Sequence, residues 1–142
     1  LGYPAPRDEA AMIKNRQSRN PLEQVRPVLT RQHLLNLQSL VAETYLSDSV
    51  IDYLVSLSAA TRSSELLSRG ASPRASLSMA SMAKAIAQLR GRDYVVPGDV
   101  KEVFLPTLSH RVQLSSKAES QGKTAAQVLK SILDATPAPR LR

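Results

Sequence analysis

The stretch from Ser72 to Gly91 constrains this chain most, because it carries both ends of what reads as the longest helix. Ser72 suits the N-cap, where a hydroxyl oxygen accepts a free backbone N–H. Pro73 suits the first helical position, where no N–H is needed and φ is already set. Gly91 suits the left-handed position that stops a helix, and Gly70 predicts a sharp turn of the chain leading in. Between these signals Ala75, Met79, Met82, Ala83, Ile86 and Leu89 recur at helical spacing and predict a buried stripe. Both methionines read as core filler, and the many small residues permit close packing. Arg74 is discordant. A cation in the first turn sits at the positive end of the helix dipole and costs about 0.3–1 kcal/mol when exposed. It is either an ordinary solvated side chain or one suited to an arriving anion, for which helix N-terminus and guanidinium act together.

The remaining segments also read as helical. A short helix is expected from Arg7 to Arg16, with Asp8 and Glu9 at its favourable end. Asn20-Pro21 ends it, and a loop over 20–29 is expected to tuck Val25, Val28 and Leu29 against the core. Thr30 caps a helix with Leu34, Leu37, Leu40 and Val41 at helical spacing, and Ser47 caps another with Ile51, Leu54, Val55 and Leu57 on one face. Residues 63–71 are a polar lead-in to Ser72. Tyr94-Val95-Val96 reads as a short extended piece able to pair with Tyr45-Leu46. Pro97 opens a helix with Asp99 in its first turn and Val100, Val103 and Phe104 inward, which Pro106 breaks or kinks before a turn through His110-Arg111. Val112 to Leu114 reads as extended, and 117–123 as a flexible basic loop. Thr124 and Gln127 form a capping box ahead of Val128, Leu129, Ile132 and Leu133. The prediction is an all-α bundle with at most one short two-stranded extended pairing.

Charge is lopsided. Residues 1–71 hold eight basic and seven acidic side chains, whereas residues 72–142 hold eleven and five, giving most of the net +7. A basic half admits nucleic acid, a membrane surface or a phosphate-bearing ligand. The five aromatics are spread far apart, so no base-stacking platform is visible and nucleic-acid binding is not expected. No apolar run approaches membrane-spanning length. The chain lacks cysteine, which excludes disulfide and thiol chemistry and favours the cytoplasm. It begins at Leu1 rather than Met, as an excised fragment would.

No residue set offers bond-making chemistry. Gly122-Lys123-Thr124 matches the end of a phosphate-binding P-loop, but the required glycine five residues earlier is Lys117 and the approach is polar throughout. The two histidines, His33 and His110, lack a ligand partner three or four residues on, so no metal site is expected. Ser109 and His110 are helix neighbours that do not face each other. Two bottom-up alternatives remain beside a phosphate-reading module: a basic helical nucleic-acid binder and a plain helical scaffold.

One family resemblance joins these pieces. Leu1-Gly2-Tyr3-Pro4, Val28-Leu29-Thr30, Tyr53, Thr61-Arg62, Gly70-Ala71-Ser72-Pro73-Arg74-Ala75, Arg90-Gly91-Arg92-Asp93-Tyr94-Val95, Pro97 with Asp99-Val100, and His110-Arg111 occur in that order. In this the chain resembles the C-terminal lid of a MoxR-type AAA+ ATPase up to about residue 114. The resemblance implies a preceding α/β core that binds ATP and Mg2+ and carries the P-loop, acidic motif and arginine finger. It implies that residues 1–6 are the hinge from that core, with Tyr3 and Pro4 at the joint, that 7–135 are the helical lid, and that 136–142 are a flexible tail. It also implies that Arg74 is the sensor 2 arginine at the γ-phosphate, with Gly70, Ser72 and Pro73 around it. Partners would be the chain's own core, neighbouring subunits of a hexameric ring and von Willebrand A-domain proteins, in a chaperone-like remodeller; this chain alone would neither hydrolyse nor tightly bind ATP. For His110-Arg111, helix capping and a subunit contact both remain open.

Overall fold

The computed structural model describes residues 2–17 and 20–139, and the chain divides into two units, 1–34 and 35–142. Leu1 of the expected hinge and residues 140–142 of the expected tail lie outside the described residues.

In the first unit, α1 (Pro6–Arg16) begins on proline, with Asp8 and Glu9 in its first turn and Lys14 and Arg16 in its last, each matched to the local dipole. A single 3₁₀ turn, Pro21–Gln24, follows, capped by the Asn20 side chain accepting the Leu22 N–H at 3.2 Å. The expected burial of Val25, Val28 and Leu29 does not occur; all three are exposed. None of the described residues of this unit is buried.

Helix α2 (Arg31–Glu43) is capped by Thr30, whose hydroxyl accepts the His33 N–H at 3.1 Å. Its predicted period is present, yet Leu34, Leu37 and Leu40 stay half open and none of its residues is fully buried.

The second unit holds the core, built from α3 (Asp48–Ser63), α4 (Pro73–Leu89), α5 (Pro97–Leu108) and α7 (Ala125–Ala135). Val50, Tyr53, Leu54 and Leu57 of α3 meet Met79 of α4, Phe104 of α5 and Leu129 of α7 in one cluster. The buried row of α4 is Ala75, Met79, Ala83 and Ala87, rotated from the predicted stripe. Four-residue spacing puts these on one line, and three alanines let α5 approach closely around Phe104. Met82 (48% exposed) and Leu89 (84%) fall outside that line, so only Met79 is core filler. Likewise Ile51 and Val55 of α3 are exposed, while Val100, Val103 and Phe104 of α5 and Val128 and Leu129 of α7 point inward as expected.

The expected pairing of Tyr45 with Tyr94 forms as a single bridge, and a longer, unexpected ladder lies elsewhere. The polar lead-in forms β1 (Leu67–Arg69), antiparallel to β2 (Gln113–Leu114), with Leu67 opposite Leu114. Tyr45 and Tyr94 make a single parallel bridge, the Tyr45 N–H donating to Asp93 O at 2.8 Å and the Val95 N–H to Tyr45 O at 3.0 Å. Pro106 does not break α5. Its missing N–H falls in the last turn, where Ser109 closes the helix by donating both its N–H (3.0 Å) and its hydroxyl (2.7 Å) to Leu105 O. The expected loop over 117–123 contains α6 (Ser116–Ser120), capped by Ser115 and anchored by fully buried Ala118. At the other end of the chain Ala138 packs against the core cluster.

Candidate functional site

The start of α4 is fixed by α3. The Thr61 hydroxyl accepts the Ala71 N–H at 2.8 Å and donates to Ser58 O at 2.7 Å. Arg62 Nε donates to Ala71 O at 2.7 Å, so the backbone N–H and C=O of Ala71 both end on neighbouring residues of one helix. One turn into α4, the Ser76 and Ser58 hydroxyls meet at 2.8 Å. Gly70 fits this junction because a Cβ there would lie 2.6–2.7 Å from backbone atoms of Thr61 and Arg62. Its φ is not in the left-handed region. Close approach, rather than the predicted turn, is therefore what requires glycine.

From this base Ser72 caps α4 as expected, its hydroxyl accepting the Ala75 N–H at 3.3 Å, and Pro73 occupies the first position. Arg74 follows, exposed. Among the described residues neither its guanidinium nor its backbone N–H has a hydrogen-bond or ion-pair partner. It lines a groove of about 580 Å³ between α4 and α5, and His110 and Arg111 line the same groove. Of the site residues read from the sequence, the fold thus brings Gly70, Ser72, Pro73 and Arg74 together, while Tyr3 and Pro4 belong to the first unit, both exposed.

The far end of α4 is built in the opposite way. Gly91 (φ +68°) takes the left-handed position; its N–H reaches Gln88 O and that of Arg92 reaches Ala87 O, both at 2.9 Å, closing a Schellman motif. The turn delivers Arg90 and Arg92 to Asp99, which is fully buried. Arg92 donates to both carboxylate oxygens at 2.7 and 2.8 Å, Arg90 to one at 3.1 Å, and the Val96 N–H to the other at 2.9 Å. Burial pushes the Asp99 carboxyl up, but the Arg92 hydrogen bonds, the Val96 N–H and the nearby cationic charge outweigh it and hold it below its ordinary value. Arg90 also pairs with Glu102. The sequence showed Asp99 only as a first-turn acid; the signal that could have found this cluster is the acid seven and nine residues beyond two arginines flanking a stop glycine.

Gly122 (φ +63°) and Lys123 repeat the Schellman pattern at the end of α6, their N–H groups reaching Glu119 O and Ala118 O, and Thr124 opens α7 with a reciprocal box to Gln127. Helix punctuation accounts for the fragment of P-loop sequence. Among the described residues no group of three or more His, Asp or Glu side chains is gathered for a metal ion, and no helix is long and apolar enough to cross a membrane. Tyr53, also in the resemblance, is a core residue whose buried hydroxyl has no partner among the described residues; burial raises its pKa.

Residues 59–132 match the family described as the AAA lid domain. The chain is 34% identical over 150 residues to the chaperone MoxR1 of Mycobacterium tuberculosis, spanning 99% of this chain and 39% of that protein. It is 31% identical over 139 residues to the Bacillus subtilis protein YeaC, spanning 98% of this chain and 43% of that one. A crystal structure of a Cytophaga hutchinsonii protein assigned as an ATPase superposes with a TM-score of 0.81 at 28% identity, over 99% of this chain and 45% of that one. The chain thus spans less than half the length of each of these relatives. It belongs to the AAA lid domain family, as a lid of the MoxR type.

Proposed function

We propose that Arg74 is the sensor 2 arginine of this lid, contacting the γ-phosphate of ATP bound on the AAA+ core of the parent protein. One observation carries this: an unpaired guanidinium stands on the first turn of α4, above a junction fixed on α3. In the absence of an anion that placement is unfavourable by about 0.3–1 kcal/mol; a phosphate reverses the sign. The residues fit the group, since among the described residues the Arg74 guanidinium and backbone N–H have no acceptor and are available as donors.

ATP would supply the bond that breaks. This chain's part is to hold a guanidinium where negative charge develops, without reorganisation at the moment of reaction. Thr61, Arg62 and Gly70 make α3 and the start of α4 one body, so rotation of the lid moves Arg74 with it and couples nucleotide state to domain angle. Gly70, Ser72 and Pro73 set the helix start; Tyr3 and Pro4 are the hinge. Mg2+ would be held by residues of the core. Assembly with that core and with neighbouring subunits of a hexameric ring, and partnership with von Willebrand A-domain proteins, belong to the same proposal and rest on the resemblance to MoxR-type proteins. A chaperone-like remodelling role takes its support from a relative named a chaperone. A sequence without cysteine suits the cytoplasm.

In the full-length protein, Arg74→Ala should lower steady-state ATP turnover on the order of 10²-fold, as for loss of one preorganised donor. Arg74→Lys should restore only part of it, since an ammonium lacks the planar fork. Turnover unchanged in Arg74→Ala would remove Arg74 from the site.

A further inference from the structure

We infer that Arg111 is a second guanidinium for the nucleotide phosphates, acting from the same groove as Arg74 with His110 beside it; this rests on the assignment of Arg74 above. Arg74 enters the groove from the first turn of α4 and His110-Arg111 from just beyond the end of α5, over a floor that includes Leu77, Met82 and Pro106. Among the described residues no carboxylate lines it. Elsewhere in the second unit the fold occupies Arg62 with Ala71 O, and Arg90 and Arg92 with Asp99, while Arg69 on β1 is exposed and has no side-chain partner among the described residues. Arg74 has no such partner, and Arg111 uses only Nε, donating to His110 Nε2 at 3.2 Å. The terminal NH2 groups of Arg111 therefore have no partner among the described residues.

Arg111 is also firmly based. Its N–H donates to Leu108 O at 2.8 Å; Leu108 before it is fully buried, and Val112 after it packs on the core. Two cations lining one groove, with no carboxylate among its described lining residues, give it a positive potential that favours an anion. A single carboxylate is satisfied by one guanidinium fork. Two forks and an imidazole suit a group with more oxygens and more charge, which a nucleotide polyphosphate provides.

The test uses the full-length protein, with Kd for ATP measured by titration with a fluorescent ATP analogue and thermal unfolding recorded alongside. Arg111→Ala and Arg111→Gln should each weaken binding by about tenfold or more, the effect of losing a charge-assisted hydrogen bond, with the melting temperature unchanged. If both guanidiniums hold the same phosphate group, the double variant with Arg74→Ala should lose less than the product of the single losses. ATP affinity kept within about twofold in both Arg111 variants, while Arg74→Ala is weakened, overturns the inference and leaves Arg74 in place. Affinity lost only together with thermal stability also overturns it. If Arg74→Ala binds as the parent does, the underlying assignment falls and this one with it.

Discussion

The two ends of α4 both carry arginine, and the fold treats them in opposite ways. At the C-terminal end Arg90 and Arg92 stand at the negative pole of the dipole and converge on a fully buried carboxylate. At the N-terminal end Arg74 stands at the positive pole with no acceptor among the described residues. The first arrangement is stabilising by charge, hydrogen bonding and dipole at once. The second is tolerated on an otherwise well-capped helix start. A cation that the fold uses is matched from several sides; the one proposed to meet a ligand stands on a rigid base, unmatched among the described residues.

Removing the matched carboxylate should give the largest effect. Asp99→Ala should destabilise this chain by about 3 kcal/mol, near the low end for breaking a buried pair because both arginines retain some access to water. Denaturant unfolding measures it; a loss below about 1 kcal/mol would mean the cluster holds nothing. The same pair predicts an acid dependence. The Asp99 carboxyl is lower in the folded chain than its ordinary value of about 3.9. Its contribution is therefore complete above that value and is lost as pH falls through the folded one. Asp99→Asn should flatten that part of the stability profile.

The base of the unmatched arginine comes next. Gly70→Ala places a Cβ against the α3 backbone, where no flexible side chain can yield. About 1–3 kcal/mol of destabilisation is expected, as for overpacking elsewhere. Because the displaced segment leads into α4, the full-length variant should also lose ATP turnover beyond what its lower stability explains. A stable Gly70→Ala with normal turnover would show that the junction does not position Arg74.

What was legible in the sequence divides along similar lines. Helix starts and stops were readable where the signal is local: Ser72-Pro73, Gly91, and Thr124 with Gln127 all act within one turn of themselves. Pairings set by packing were not. Asp99 is nine residues from Arg90 and seven from Arg92, with no periodic trace, and β1 finds β2 only once α3 and α5 have placed them. A five-residue α6 is too short to show a period, so buried Ala118 gave no warning. Leu34, Leu37 and Leu40 show the converse: their spacing marks an apolar face faithfully, but spacing cannot say what covers it. The position of Arg74 was readable from the cap before it. That it shares a groove with His110 and Arg111, more than thirty residues away in sequence, required the α4–α5 packing built on Ala75, Ala83 and Ala87.

The smallest effects give the sharpest comparison, because two residues in one turn should move stability in opposite directions. Ser72→Ala removes the hydroxyl that accepts the Ala75 N–H, and the loss of such a cap costs about 1 kcal/mol. At 3.3 Å that bond is long, and Ala75 N–H keeps a second acceptor in Ser72 O at 2.9 Å, so less than the full amount is expected. Arg74→Ala removes a cation from the positive end of the dipole, breaks no hydrogen bond within the fold, and replaces arginine with a better helix former. It should leave stability unchanged or raise it by about 0.3–1 kcal/mol. Raising salt should shrink that gain, since the dipole effect is screened, while the Ser72 loss should persist. The two variants, unfolded side by side at low and high salt, separate a residue the fold needs from one it only carries. A clear loss of stability in Arg74→Ala would mean that the guanidinium has an internal role after all, and the contrast between the two ends of α4 would disappear.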